Sequence, residues 1–163
     1  MGEEGTMVQA ELSQSTSARL ATQLECVPLV LGERGRDAVA RRPASGKWSA
    51  HENLAHLARI QEIYLERIRR ILSEERPQLP RYKAEEDPEW PRWAALPTGE
   101  VVNRLKALRD QLRRLVTSLT PSQLGRIGVH GVLGDMTIPE WIEFFLLHEA
   151  HHLYAAMQRA RGG

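Results

Sequence analysis

The chain has 163 residues, a length that fits a single domain able to bury a hydrophobic core without disulfides. Its 22 basic and 21 acidic residues give a formal net charge of +1, which argues against a general affinity for nucleic acid or for anionic membranes. The one cysteine excludes an intrachain disulfide and favours a reducing compartment.

The first predicted elements are a short tail and one helix. Residues 1–6 are predicted to be disordered and lack the apolar core of a signal peptide, whereas residues 7–163 are predicted to form one domain. The first helix is predicted from about Met7 to Cys26, with Pro28 and Gly32 as its breakers. No apolar run approaches the ~20 residues of a membrane span, so the sequence predicts a soluble, cytoplasmic protein without membrane contacts.

The second helix has the clearest start signal. Ser49 and Glu52 form a capping-box pattern directly before an apolar periodic run that extends to about Glu75. Residues 77–97 then contain five prolines and no sustained periodicity, which predicts a loop. Two tryptophans in this loop indicate that it packs against the body of the protein, over a functional site or, alternatively, simply at one end of a bundle.

The second half of the chain holds two further long helices. Residues 98–119 place valine and leucine at steps of four and three, the pattern of a bundle seam. Residues 128–135 contain three glycines and are predicted to form a loop or a short hairpin. A capping box from Thr137 to Glu140 opens the last helix. Four substantial helices, long connections and no convincing strand predict an all-α four-helix bundle.

Two clusters of arginines lie within the predicted helices. The clusters are Arg67, Arg69 and Arg70 in the second helix, and Arg109, Arg113 and Arg114 in the third. Both occur at helical spacing among leucines and isoleucines. Their simplest interpretation is the solvated face of an amphipathic helix.

The last helix carries a pair of histidines on a face that should point inward. His148 and His152 are four residues apart, so their imidazoles lie one turn above the other. Trp141 and Phe145 continue the same stripe. Two inward imidazoles at this spacing are half of a divalent-metal site. The alternative is a pair of core histidines that are each satisfied by a hydrogen bond.

A third ligand is predicted from the second helix. His56 lies two turns after the helix start and shares a face with isoleucines, so it should also point inward. His51 falls on another side and is predicted to be a surface residue. His151 is rotated by about 100° from its neighbour and cannot share the site. His130, in the glycine-containing segment, is a candidate outer contributor.

Three neutral imidazoles leave open coordination positions, as in catalytic metal sites. Glu149 is the candidate catalytic base if its carboxylate leans toward the metal, and a solvent-facing position is the alternative. Glu52 is a candidate outer partner unless its carboxylate is used by the capping box. The sequence from His148 to His152 also matches the H-E-x-x-H motif of zinc peptidases. However, the extended motif requires a glycine and a histidine where this chain has Ala155 and Gln158, which argues against a peptidase.

A set of motifs distributed along the chain resembles the DinB-like (DinB/YfiT) superfamily over residues 18–159. The matching residues are Trp48-Ser49, His56, Gly134 with Thr137, and His148 with His152. The resemblance implies a four-helix bundle in which His56, His148 and His152 hold a divalent metal ion. It also implies homodimers, and its better-characterised members are metal-dependent transferases that use low-molecular-weight thiols.

The sequence therefore predicts a divalent-metal protein acting on a small molecule, with thiol transfer as the first hypothesis for its reaction. Zinc and nickel are the first candidates for the metal, although imidazole also suits copper and iron. Three alternatives stay open at this stage. They are a non-catalytic metal-binding or stress-associated dimer, a purely structural bundle with metal-free histidines, and a metal-dependent hydrolase.

Overall fold

A computed structural model describes residues 10–162 and confirms the four-helix bundle. The helices are α1 (Gln14–Thr22), α2 (Val27–Leu31), α3 (Arg36–Ala40), α4 (Ala50–Ser73), α5 (Trp90–Ala94), α6 (Thr98–Thr117), α7 (Pro121–Leu124) and α8 (Ile138–Ala160). The strands are β1 (Gln78–Leu79), β2 (Ile127–His130) and β3 (Gly134–Thr137). The bundle is formed by α1 with its continuation α2, and by α4, α6 and α8. Within residues 10–162, no helix combines the length and apolar character needed to cross a membrane.

The first helix differs from its prediction at both ends. The predicted tail at residues 1–6 and the predicted start of the helix at residues 7–9 lie outside the described residues. Helix α1 begins after Ser13, whose hydroxyl accepts a hydrogen bond from the Thr16 N–H at 3.0 Å. Pro28 does not break the helical path, since it lies in the first turn of α2, where proline's missing N–H leaves no bond unmade. The path ends at Gly32, as predicted, where the φ of +60° lies in the left-handed region that favours glycine.

The capping boxes predicted for α4 and α8 are both present. The Ser49 hydroxyl accepts from the Glu52 N–H at 3.1 Å, and the Glu52 carboxylate accepts from the Ser49 N–H at 2.9 Å. Helix α4 packs against both α6 and α8 and is the central helix of the bundle. The start of α4 lies against the middle of α8, and these two segments carry the predicted metal ligands.

A three-stranded sheet covers one end of the bundle, so the prediction of no strand is wrong. The hairpin alternative for residues 128–135 is correct, because β2 and β3 pair as antiparallel strands. Strand β1 adds to β2 in parallel, with Leu79 opposite His130. Since β1 has only two residues and its partner lies about 50 positions later, it leaves no local alternation in the sequence.

The segment between α4 and α6 is ordered and packs on the body of the bundle. It contains β1, a 3-10 turn at Ala84–Glu86, and α5. Trp93 is buried, and the Trp90 ring lies 5.0 Å from the ring of Trp48. The tryptophans thus hold this long connection in place, as their presence in a proline-rich stretch suggests.

We expect Gly128→Ala to lower the free energy of unfolding by about 1–3 kcal/mol, since overpacking a core costs this much. A Cβ at position 128 would lie 2.7 Å from Cδ1 of Ile71 and 2.9 Å from Cδ1 of Leu79, where β2 crosses the end of α4. Denaturant unfolding measures the change. Gly99→Ala is the matched control, because a Cβ there meets no atom within 4 Å and should leave stability unchanged or slightly higher. Equal effects of the two substitutions would contradict this packing.

Candidate metal centre

Three histidines from two helices meet at one point. The Nε2 atoms of His56 on α4 and His148 on α8 are 3.4 Å apart. One ring nitrogen from each of His56, His148 and His152 lies within 4.8 Å of the other two. The structure thus brings together the three residues that the sequence singles out as metal ligands.

Asn53 fixes the orientation of one of these rings. Its amide Nδ2 donates to the Ser49 carbonyl at 2.8 Å, so its Oδ1 points the other way and accepts from Nδ1 of His152 at 2.8 Å. His152 therefore carries its proton on Nδ1 and leaves the lone pair of Nε2 free for the site. Asn53 is not among the site residues predicted from the sequence. The signal for it was its position three residues before His56, on the same side of α4.

Burial keeps all three imidazoles neutral. Loss of contact with water is the main cause that lowers the pKa of His56 to about 2, of His148 to about 4 and of His152 to about 3. The positive charges that neighbouring histidines would carry lower these pKa values further. A neutral imidazole is the form that binds a metal ion.

The donor set fits a divalent ion such as zinc. Two nitrogens that each lie about 2.1 Å from one tetrahedral ion are about 3.4 Å apart, the separation observed between His56 and His148. The Nδ1 atoms of these two residues are buried and have no hydrogen-bond partner within the part of the chain that the structure describes. His56 is held instead by ring contacts, with Trp48 at 4.9 Å and Tyr82 at 5.6 Å between centroids.

We expect the metal-free protein to lose stability as the pH falls below about 6.5, the pKa of histidine in an unfolded chain. Between that pH and about 4, the unfolded chain binds protons at His56, His148 and His152 that the folded chain does not. Each histidine then contributes a slope of up to about 1.4 kcal/mol per pH unit to the free energy of unfolding. Urea unfolding from pH 7.5 to 4.5 measures the slope. A variant with leucine at all three positions should give a flatter curve, and an equally steep curve would contradict the assignment.

The Glu149 carboxylate does not join the three histidines, so the prediction of a base beside the metal is wrong. The alternative of a solvent-facing Glu149 is also wrong. Its side chain is 0% exposed and pairs with Arg109, which reaches it from α6. Gln23 donates to the same carboxylate at 2.9 Å. His148 lies about 100° and His152 about 60° around the helix axis from Glu149, both in the same direction. Anchoring Glu149 toward α6 therefore turns the two histidines toward α4.

Each of the two arginine clusters predicted to be a solvated face contains one buried arginine, so that prediction is wrong for Arg67 and for Arg109. Arg109 is 4% exposed and Arg67 is 8% exposed. Arg109 also donates to Gln61 at 2.9 Å and to the Leu20 carbonyl at 3.1 Å. The buried positions of α6 run through Val101, Leu105, Arg109, Leu112 and Val116, and this continuity of the seam was the available signal.

The remaining candidate residues lie outside the three-histidine group. His51 is buried, contrary to its prediction, and its ring nitrogens bond to the Thr98 hydroxyl and the Ala94 carbonyl, each at 2.9 Å. His151 is exposed, as its rotation on the helix requires. Glu52 is engaged by its capping box and by Arg42. His130 is buried, and its Nδ1 accepts from two backbone N–H groups of the β2–β3 turn.

A cavity of about 490 Å³ opens beside the three histidines. Its other walls come from α4, from the segment between α4 and α5, from the β2–β3 hairpin and from α8. The side chains include four aromatic rings, those of Trp48, Tyr64, Tyr82 and Phe144. The long connection therefore lines the site. A small molecule could reach the histidines through this cavity.

Residues 28–156 match the sequence model of the DinB superfamily. The chain belongs to this superfamily. Two curated relatives are similar to this DinB protein. A candidate metal-dependent hydrolase of Oceanobacillus iheyensis, OB0413, is 26% identical over 113 residues, which cover 66% of this chain and 62% of that protein. The uncharacterised protein YuaE of Bacillus subtilis is 27% identical over 125 residues, covering 69% of this chain and 77% of that protein. The chain thus matches less than two thirds of OB0413.

Two solved structures share the fold of this DinB protein. YfiT of Bacillus subtilis, described as a candidate metal-dependent hydrolase with an unusual four-helix bundle topology, superimposes with a TM-score of 0.73 at 21% identity. That match covers 93% of this chain and 89% of YfiT. TT2238, described as a four-helix bundle protein, gives a TM-score of 0.62 at 22% identity, covering 87% of this chain and 94% of TT2238. These likenesses establish the bundle architecture.

Proposed function

We propose that this DinB protein binds one divalent metal ion through His56, His148 and His152 and is a metal-dependent enzyme acting on a small molecule. The observation that carries the proposal is the convergence of three neutral imidazoles on the wall of a cavity large enough for such a substrate. When bound, the metal would lower the pKa of a water or thiol and polarise the substrate. The names of OB0413 and YfiT agree with metal dependence.

We propose transfer of a low-molecular-weight thiol as the first reaction class and hydrolysis as the second. Among the described residues that line the cavity, Glu85 is the only carboxylate, and it is exposed. The Nδ1 of His130 accepts two backbone hydrogen bonds, so the neutral ring carries its proton on Nε2. Neither ring nitrogen of His130 then has a free lone pair with which to act as a base. A thiol, with a pKa near 8.5, needs less help from a base than water does, which favours the thiol.

The cavity also favours an enzyme over a non-catalytic metal protein. A metal site without substrate access would favour a storage or structural role, whereas this group of histidines faces a cavity of about 490 Å³. Zinc and nickel stay the first candidates for the metal. Homodimer formation, which the family resemblance implies, stays a prediction.

The reaction class is tested with metal-loaded protein and chlorodinitrobenzene, in the presence and absence of cysteine as a small thiol. Thioether formed faster than by the His148→Ala variant supports thiol transfer. Formation of dinitrophenol at the same rate with and without cysteine supports hydrolysis instead. No product above the variant's rate with either nucleophile contradicts both reaction classes for this electrophile and favours the non-catalytic metal protein.

A further inference from the structure

Arg67 is a buried cation without a carboxylate partner. Its side chain lies in α4 and is 8% exposed. Within residues 10–162 it forms no ion pair. Its Nη2 donates to the Pro80 carbonyl, and the neutral Tyr64 hydroxyl is its other polar neighbour. Arg109, which is buried to a similar degree, has Glu149 as its partner. A buried charge without a counter-charge is unfavourable, so it needs a separate explanation.

The surroundings of Arg67 compensate its charge only in part. The guanidinium lies 5.4 Å from the ring centroid of Tyr64 and 5.5 Å from that of Trp141. These ring faces attract a cation, but less strongly than a carboxylate does. Burial accordingly lowers the pKa of Arg67 from its ordinary value.

Arg67 faces the same cavity as the metal ligands. The cavity wall contributed by α4 is a stripe of His56, Ile60, Tyr64 and Arg67, spaced by four, four and three residues. His148 and His152 line the same cavity from the opposite helix. The cavity therefore has an imidazole group at one end of this stripe and a guanidinium at the other.

The remaining walls add positive charge and apolar surface. Arg81 and Lys83 line the rim, but Lys83 is paired with Glu86 at 2.6 Å, so Arg81 is the cation that adds net positive charge. Glu85 is the one acidic side chain among the described residues that line the cavity. At the tip of the β2–β3 hairpin, Val132 and Leu133 are 74% and 55% exposed and also line the cavity. Such a site suits a molecule with an anionic group and an apolar body.

We propose that the cavity binds a small organic anion, with its carboxylate or phosphate paired to Arg67 and its apolar body extending past the aromatic rings toward the histidines. The guanidinium matches the bidentate geometry of both anionic groups. This inference deepens the proposed function, and it rests on that function only in assigning the reacting end of the molecule to the histidines.

The first test compares benzoate, phenyl phosphate and benzamide as ligands, by calorimetry or by tryptophan fluorescence. Benzamide has nearly the shape of benzoate but carries no charge. We expect at least one of the two anions to bind about tenfold or more tightly than benzamide, and the tighter anion identifies the preferred group. Equal binding of all three ligands by the wild-type protein would overturn the proposal without any variant.

The second test repeats these titrations with Arg67→Met, Arg67→Lys and the exposed control Arg69→Met. We expect Arg67→Met to lose the preference for the anion, about tenfold to a hundredfold, while Arg67→Lys keeps part of it and Arg69→Met keeps all of it. If Arg67 only fixes the Pro80 segment, the Met variant changes stability but keeps the preference, which would overturn the proposal.

Measuring metal content in the same samples separates this inference from the proposed function. Titrations are run with chelator-treated and metal-loaded protein, because a carboxylate can also bind a metal ion directly. Anion binding that requires the metal and is indifferent to Arg67 would overturn the anion site and leave the metal site standing. Binding that depends on Arg67 in a protein that takes up no metal even when metal is supplied would support the anion site and contradict the proposed function.

Discussion

Arg109→Met is expected to lower the free energy of unfolding by about 3–5 kcal/mol, because it leaves the buried Glu149 carboxylate without its counter-charge. Gln23 would remain as a donor to that carboxylate, but a neutral amide does not replace a guanidinium. Urea unfolding measures the loss. The exposed pair of Arg92 and Glu89 supplies the control, since Arg92→Ala should cost no more than about 0.5 kcal/mol.

A double substitution tests whether the pair acts as a unit. Arg109→Met combined with Glu149→Leu removes both charges, and replacing a whole buried ion pair costs far less than breaking it. We expect the double variant to be more stable than Arg109→Met alone. Recovery stays incomplete, since Gln61 and the Leu20 carbonyl also lose a donor. A double variant whose loss equals the sum of the two single losses would contradict this coupling.

Asn53→Leu is expected to weaken metal binding by about 10–100-fold, the effect of removing an outer partner of a histidine ligand. The substitution keeps a similar volume but removes the oxygen that accepts from Nδ1 of His152. The start of α4 should survive, because the Asn53 backbone N–H still donates to the Ser49 carbonyl at 3.1 Å. Competition with a chromophoric chelator measures the metal affinity.

Asn53→Asp is the matched variant for this experiment. Its carboxylate can still accept from His152, so we expect metal affinity at or above that of the wild type. Leucine and aspartate variants with the same affinity would contradict an orienting role for Asn53. Thermal unfolding of the metal-free proteins shows whether either substitution acts through stability alone.

The sequence predicts the bundle and the histidine group because both depend on local signals. Capping boxes at Ser49 and Thr137 set where α4 and α8 begin, and helical spacing then decides which histidines share a face. Two helices that pack side by side bring such faces together. The placement of His56 against His148 and His152 follows from these rules.

The charged core residues could not be predicted in the same way. Arginine and glutamate are usually exposed, so the sequence predicts Arg67 and Arg109 on the surface. For Glu149 it predicts a position beside the metal or facing solvent. Arg109 and Glu149 are 40 residues apart in the chain, and no local pattern connects them. Strand β1 was missed for a related reason, since its two residues are ordered by a distant partner.

The most direct test of the metal site is the metal content of protein purified without a nickel column, measured beside the His148→Ala/His152→Ala variant. We predict about one divalent ion per chain in the wild type and none in the folded variant, because a single remaining imidazole does not hold an ion. Circular dichroism verifies that the variant retains its helices. Wild-type protein without metal, or equal metal content in both proteins, would contradict the assignment of His56, His148 and His152 as ligands.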